Sequence, residues 1–303
     1  MNSMERPMEK AVLAAVQTTE SDTHFQYSLE ELKNLVENTG VEVVGEVTQK
    51  RDSIDNRTLI GKGKIQELKH LVEETEASAV VFNQELSPSQ VRNIQNEIDV
   101  KILDRIQVIL DIFAIRATSR EGGLQVQLAQ LNYLLPRLVG HGINMSRLGG
   151  GIGTRGPGET KLETDRRHIN RQISDIRKEL KKVEEHRDRI RQQRDRTNLF
   201  RIGLIGYTNA GKSTVLNALT NSQTYEKDEL FATLDPVTRK LELASGLQVT
   251  LTDTVGFIQD LPTQLIESFQ STLEESKDVD LLLHIVDASA PNMEKHQDTV
   301  LNL

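Results

Sequence analysis

Over the first hundred residues, short apolar stretches alternate with segments in which apolar positions recur every three or four residues. Residues 11–16, 41–47, 79–82 and 100–103 are rich in Val, Ile, Leu, Ala and Phe and predict strands. Residues 28–38, 63–76 and 87–98 carry apolar side chains at helical spacing. Ser28 with Glu31 three residues on, and Ser87 followed by Pro88, supply helix start signals. Four strands separated by three helices predict a small parallel α/β domain over residues 1–115.

Beyond residue 115 the period lengthens. Leu124, Leu128, Leu131, Leu135 and Leu138, and later Ile169, Ile173, Ile176, Leu180, Val183 and Ile190, step by threes and fours with one break at Arg187. Such steps hold apolar side chains on one stripe, the seam of a coiled coil. Two stripes joined by a loop predict an antiparallel helical hairpin over 116–199, with Pro136 kinking or ending the first arm. The joining stretch, 140–158, has eight glycines in nineteen residues, far longer than a helix connection needs. Excess length at the tip of an arm predicts a contact surface, with Arg147, Arg155 and Lys161 for phosphates and Gly149, Gly150, Gly151, Gly153 and Gly156 allowing close backbone approach to RNA.

From residue 200 strand and helix signals alternate again. Residues 200–206 read as a short buried strand, 213–220 as a helix, and 247–252 and 281–288 as further strands. The junction of the first strand and helix is Gly206-Tyr-Thr-Asn-Ala-Gly-Lys-Ser213. A chain wraps a triphosphate with its N–H groups only where it bends closely. Gly206, Tyr207, Thr208, Asn209, Ala210 and Gly211 form that loop, Lys212 adds a cation, and Ser213 and Thr214 open the helix, with the Ser213 hydroxyl placed for Mg²⁺. Asp253, Thr254, Val255 and Gly256 follow the next strand, where a carboxylate reaches the water shell of the metal and a glycine N–H the γ-phosphate. Between them, Phe231, Ala232, Thr233, Leu234 and Asp235 form a loop in which Thr233 offers the metal a hydroxyl. Lys212, Thr233 and Gly256 are the groups expected to act on the transferred phosphate.

Composition narrows the classes. Without cysteine there is no disulfide, thiolate zinc site or cysteine nucleophile, in keeping with a reducing cytoplasm. No apolar run approaches the roughly 20 residues that span a bilayer. Net charge is −8, yet residues 137–201 hold 17 Lys and Arg against 9 Asp and Glu, a cationic block in an acidic chain. Such a block either meets a polyanion or pairs its charges along its own helix faces. Leu59-Ile-Gly-Lys-Gly-Lys64 lacks nucleotide-loop spacing and predicts a tight turn with solvated lysines. His24, His70 and His284 have no partners at metal-ligand spacing and read as ordinary surface or packed histidines.

The order of an α/β domain, a hairpin bearing Gly149-Gly-Gly-Ile-Gly-Thr-Arg-Gly-Pro-Gly-Glu-Thr-Lys161, and then the 206–213, 231–236 and 253–257 motifs resembles the HflX-type translational GTPases along essentially the whole chain. The resemblance implies GTP and GDP as ligands, Mg²⁺ as cofactor, and a cytoplasmic factor, monomeric when free. It further implies binding to the 50S subunit near the peptidyl-transferase centre, with the hairpin on 23S rRNA. Separation of stalled or idle ribosomes follows from it, and in some members lowered susceptibility to ribosome-targeting antibiotics. Two features depart from the usual GTPase pattern. The guanine-selecting Asn-Lys-x-Asp segment does not occur in the 303 residues, so the G domain over 200–303 reads as partial. Phe257 stands where many GTPases place a water-orienting glutamine, which predicts slow intrinsic turnover. Alternatives are an RNA-binding regulatory module with a defective nucleotide site and an ATPase acting through the N-terminal domain.

Overall fold

The computed structural model describes residues 9–138, 157–194, 199–220, 230–231, 233–259 and 279–301. They fall into two compact units, one drawn from Met1–Ile112 with Leu134–Arg166, the other from Phe113–Tyr133 with Arg167–Leu303.

The first unit is built from β1 (Lys10–Gln17), α1 (Asp22–Glu37), β2 (Glu42–Lys50), α2 (Lys62–Thr75), β3 (Ala79–Phe82), α3 (Pro88–Gln95) and β4 (Lys101–Asp104), with α4 (Arg105–Arg116) following directly. Its strands form a wholly parallel sheet in the order β2-β1-β3-β4. β1 is buried from Ala11 to Val16 because neighbours flank it on both edges and helices cover both faces, which is why its sequence runs apolar rather than alternating. On one face Val12, Ala14 and Val16 pack with Val80 and Phe82 of β3 and with Ile65, Leu68 and Val72 of α2. Each fully buried Leu, Ile or Phe there contributes about 1.5–3 kcal/mol.

The expected strands are all present. Ser87 caps α3 through a reciprocal capping box with Gln90, with Pro88 in the first turn. The expected tight turn covers only the start of 59–64: Leu59 (φ +66°) pairs back to Asp55, the Gly61 N–H donates to Gln49 Oε1 at 2.8 Å, and Lys62 to Lys64 open α2, with Lys64 paired to Glu67. One expectation fails and one element was not foreseen. Helix α1 starts at Asp22 rather than Ser28, capped by Ser21, because Phe25 extends the apolar stripe back by a turn. Ser28 lies inside the helix and its hydroxyl accepts from Asn83 at 2.9 Å. Helix α4 has no counterpart in the sequence reading; its near-continuous apolar run, Ile106 to Ile115, obscures a helical period.

The second unit holds parts of two long helices, α5 (Arg120–Leu138) and α6 (Pro157–Arg194). Arg187 on α6 meets Glu121 in the first turn of α5 at 2.5 Å, and Arg120 pairs with Glu179. Of the predicted stripe on α6, Ile169, Ile173 and Ile176 are buried and Leu180 and Val183 half-buried, while the side chain of Ile190 lies outside the described residues. On α5 the buried positions are Gly122, Gln125, Val126, Leu128, Ala129 and Tyr133, so of the predicted stripe Leu128 is buried while Leu124, Leu131, Leu135 and Leu138 are half-buried. A helix buried beyond one leucine stripe is covered on more than one side, so a two-helix seam understates its packing.

The same unit contains β5 (Phe200–Gly206), α7 (Lys212–Thr220), β6 (Val237–Glu242), β7 (Gln248–Asp253), β8 (Leu281–Ile285) and α8 (Met293–Leu301). Its sheet has the order β6-β7-β5-β8, parallel except for β6, which runs antiparallel to β7. β6 is absent from the sequence reading because its side chains are largely exposed and polar, as befits an edge strand.

Candidate nucleotide and metal site

β5 runs up the centre of the second sheet, and at its carboxyl end the chain turns through residues 207–211 into α7. Asn209 (φ +60°) and Gly211 (φ +90°) adopt left-handed backbone, which folds the loop back on itself. Gly206 serves a different purpose from flexibility. A Cβ there would lie 2.4 Å from the Ile285 carbonyl oxygen of β8, so only glycine lets the two strands close. The loop is also stitched to the segment after β7: Thr208 N–H donates to Phe257 O at 2.6 Å and Phe257 N–H to Gly206 O at 3.1 Å.

Lys212 is 94 % buried beneath this loop, its Nζ donating to the carbonyls of Gly206 at 3.2 Å and Tyr207 at 2.9 Å. Burial pushes its pKa down to about 8, partly opposed by the nearby Asp253 carboxylate. An ammonium buried against neutral carbonyls is a strong attractor for an anion. Gly256 leaves the approach clear, since a Cβ there would sit 3.0 Å from Lys212 Nζ and 2.7 Å from Thr208 Cα.

Three oxygens converge beside the lysine. Ser213 Oγ donates to Asp253 Oδ2 at 2.6 Å, Thr233 Oγ1 donates to the same oxygen at 2.9 Å, and the two hydroxyls are 2.9 Å apart. Among the described residues Asp253 Oδ1 is buried with no hydrogen-bond partner. Two hydroxyls and a carboxylate with an unsatisfied oxygen form the hard-oxygen set that suits a small divalent cation such as Mg²⁺. The register Leu204↔Asp253 between β5 and β7 brings Asp253 level with the start of the loop, and Thr254 Oγ1 locks the turn by donating to Leu204 O at 2.7 Å.

The loop carrying Thr233 is held on both sides. Phe231 is buried with φ +55°; its N–H donates to Thr208 Oγ1 at 2.7 Å and its ring meets Phe113 edge-on at 4.7 Å. Asp235, expected among the nucleotide contacts, turns its carboxylate to Thr118 and Ser119, just before α5. Burial raises its pKa, but hydrogen bonds from Ser119 and Thr118 outweigh that and hold it below the ordinary aspartate value. Leu234 is buried and Thr214 exposed. Phe257 is nearly buried and meets the loop through its backbone.

Ala232, Arg147, Gly149, Gly150, Gly151, Gly153, Arg155 and Gly156 lie outside the described residues, and of Lys161 only the helical backbone is described. The cationic block proves mixed. Arg137 is used internally, donating to Leu86 O at 2.8 Å and Asp104 at 3.2 Å, and Arg187 pairs with Glu121. Arg171, Arg177, Lys181 and Lys182 on α6 are exposed. A groove of about 380 Å³ runs along Asn170, Ile173, Ser174, Arg177, Lys178 and Lys181. Among the described residues no cluster of His, Asp or Glu forms a further metal centre, and no helix is long and apolar enough to cross a membrane.

The sequence reading missed two groups around the site. One is the Thr118-Ser119 pair, whose signal is a helix start in front of Glu121; the other is His296, which stacks on Tyr207 at 3.8 Å and has no sequence signal.

Comparison with known proteins agrees with this geometry. Residues 26–114 match the family described as GTP-binding GTPase N-terminal, 116–194 the GTP-binding GTPase middle region, and 201–303 the 50S ribosome-binding GTPase family. The GTPase HflX of Alkalihalophilus pseudofirmus is 56% identical over 99% of this chain and 71% of its own length. That of Escherichia coli is 42% identical over 96% of this chain and 68% of its own length. Among solved structures, the SsGBP complex with GDP aligns over 97% of this chain and 76% of that one, with 27% identity and a TM-score of 0.55. A GTP-binding protein from Sulfolobus solfataricus in complex with GDP aligns over the same shares with 25% identity and a TM-score of 0.51.

Proposed function

The chain belongs to the HflX family of GTPases, and from that premise we propose that it is a Mg²⁺-dependent GTP-hydrolysing factor that engages 50S subunits and separates ribosomes in the cytoplasm. The observation that carries the reading is the convergence of Ser213, Thr233 and Asp253 beside the buried Lys212.

In this reading the 206–213 loop cradles the phosphates with its N–H groups, and Lys212 exchanges its two carbonyl partners for phosphate oxygens. Ser213 and Thr233 would hold Mg²⁺ and Asp253 would act through its water shell, which would give the orphaned Oδ1 a partner. When bound, the metal neutralises charge on the β- and γ-phosphates. The Gly256 N–H meets the γ-phosphate. Loss of that phosphate withdraws the ligand's hold on Thr233 and Gly256 and leaves their segments on protein anchors alone, changing how the GTPase part sits on the subunit and favouring departure. Phe257 offers the attacking water no side-chain hydrogen bond, so turnover without the ribosome is slow. The exposed cations of α6 and the glycine-rich 140–158 loop face rRNA phosphates, with the free factor monomeric and its parts divided at 1–115, 116–199 and 200–303.

Phosphate release by the full chain, with and without purified 50S subunits, tests the reading. We expect stimulation by 50S and, for Lys212→Ala, a loss of roughly 100-fold or more in hydrolysis. Fast turnover without subunits, or wild-type turnover by Lys212→Ala, overturns it.

A further inference from the structure

The loop bearing Thr233 is anchored by protein before any ligand arrives, and its strongest anchor is not in the nucleotide site. The Asp235 carboxylate accepts from Thr118 N at 2.9 Å, Thr118 Oγ1 at 2.7 Å, Ser119 N at 2.7 Å and Ser119 Oγ. Ser119 Oγ in turn accepts from Gly122 N at 2.8 Å, so one hydroxyl both caps the start of α5 and holds Asp235. The fit is close: a Cβ on Gly122 would lie 2.5 Å from Asp235 Oδ1. An anion at the N-terminus of a 19-residue helix is further favoured by the helix dipole.

Thr233 is two residues from Asp235, a span of at most about 7 Å of extended chain. Pro236 restricts Asp235 to extended backbone, so the link has little slack. Two residues before Thr233, Phe231 is fixed by Thr208 and Phe113. We propose that Asp235 is a positioning residue for the metal site: by docking on Thr118 and Ser119 it holds the Thr233 hydroxyl beside Ser213 and Asp253, so the start of α5 sets how tightly Mg²⁺ is held. This rests on the Mg²⁺-dependent GTPase reading above. It adds that the metal and the long helix are coupled through one carboxylate, and by reciprocity a force that shifts α5 loosens Thr233.

The test compares Asp235→Ala with wild type in the full chain by three measurements: the Mg²⁺ concentration for half-maximal GTP hydrolysis, Mn²⁺ titration in the presence of a non-hydrolysable GTP analogue, and amide exchange at Thr118 and Ser119 in nucleotide-free protein. We expect the half-saturating Mg²⁺ to rise about tenfold, with turnover recovering at high Mg²⁺, as loss of hydrogen bonds to a charged group predicts. Mn²⁺ affinity falls in step, GDP affinity is unchanged, and both amides exchange faster. Asp235→Asn, which keeps one acceptor oxygen, falls between. Should Asp235→Ala not fold, Thr118→Val with Ser119→Ala removes the side-chain donors and is expected to raise the Mg²⁺ requirement in the same direction. A wild type indifferent to Mg²⁺ overturns the metal reading itself. A wild type that needs Mg²⁺, beside a folded Asp235→Ala with the same requirement or with only a lowered melting temperature, overturns this inference alone.

Discussion

Each unit ends its central parallel strands in polar residues, but the two carboxyl edges treat those residues in opposite ways. In the first sheet the chain supplies most of their partners itself, although among the described residues Arg105 Nε is buried without a hydrogen bond. The Gln84 side chain donates to Val16 O at 2.6 Å and accepts from Val16 N at 3.2 Å, filling the gap past β1. Asp104 at the end of β4 takes N–H groups from Leu86 and Gln107 as well as the Arg137 guanidinium. Arg105 and Glu31 form a buried ion pair, with Asn83 bridging Arg105 and Ser28. In the second sheet Asp253 Oδ1 has no partner among the described residues and Lys212 is buried against carbonyls. Ligands of open α/β sheets bind outside the carboxyl ends of strands. Topology alone therefore does not mark a site; what marks it is the second edge's buried ammonium donating to neutral carbonyls beside two hydroxyls and a carboxylate.

The sharpest way to break this contrast is to open the closed edge. Glu31 is 95 % buried, and Glu31→Ala strands the Arg105 charge in the interior. Removing one member of a buried pair costs about 3–5 kcal/mol. Chemical denaturation of the full chain is expected to show that loss in the first unit while GTP affinity stays at the wild-type value. A loss below about 1 kcal/mol means that the edge is not closed by this pair.

A smaller effect is expected from Gly206→Ala at the open edge. The added methyl meets backbone, not a movable side chain, so β5 and β8 must separate and the loop shifts with them. GTP affinity is expected to fall at least tenfold, or about 1.4 kcal/mol, with amide exchange in β1 and β3 unchanged. Unchanged affinity would mean that the loop does not depend on this strand contact.

The contrast was only half legible in the sequence. The open edge announces itself through 206–213 and 253–256, because wrapping a phosphate demands particular residues at fixed spacing. The closed edge has no such signature: Glu31 and Arg105 are 74 positions apart, and nothing local marks them as partners. The same limit hid the Asp235 link to Thr118, 117 positions away. β1 and β3 were readable since burial on both faces makes them near-continuously apolar, whereas β6, polar and exposed at its edge, was not. Ser28 misled because Ser followed by Glu three residues later looks the same within a helix as at its start.

The gentlest probe of the difference is pH. Burial lowers the folded-state pKa of Lys212 from 10.5 to about 8, so as pH rises the unfolded chain keeps its proton longer than the folded one. Free protein therefore gains stability between about pH 8 and pH 10.5, a gain lost again as pH falls through 8. A bound triphosphate has the opposite preference, since it stabilises the ammonium and raises its pKa. Binding above pH 8 must then take up a proton, and GTP affinity is expected to be flat from pH 6.5 to 7.5 and to fall above about 8 by up to tenfold per unit. Calorimetry in buffers of different ionisation enthalpy reads the proton uptake directly. Lys212→Arg sharpens the assignment: a guanidinium keeps its charge throughout this range, so that variant binds more weakly but without the alkaline decline. An equal decline in Lys212→Arg would place the titrating group elsewhere and remove the buried ammonium as the feature that sets the open edge apart.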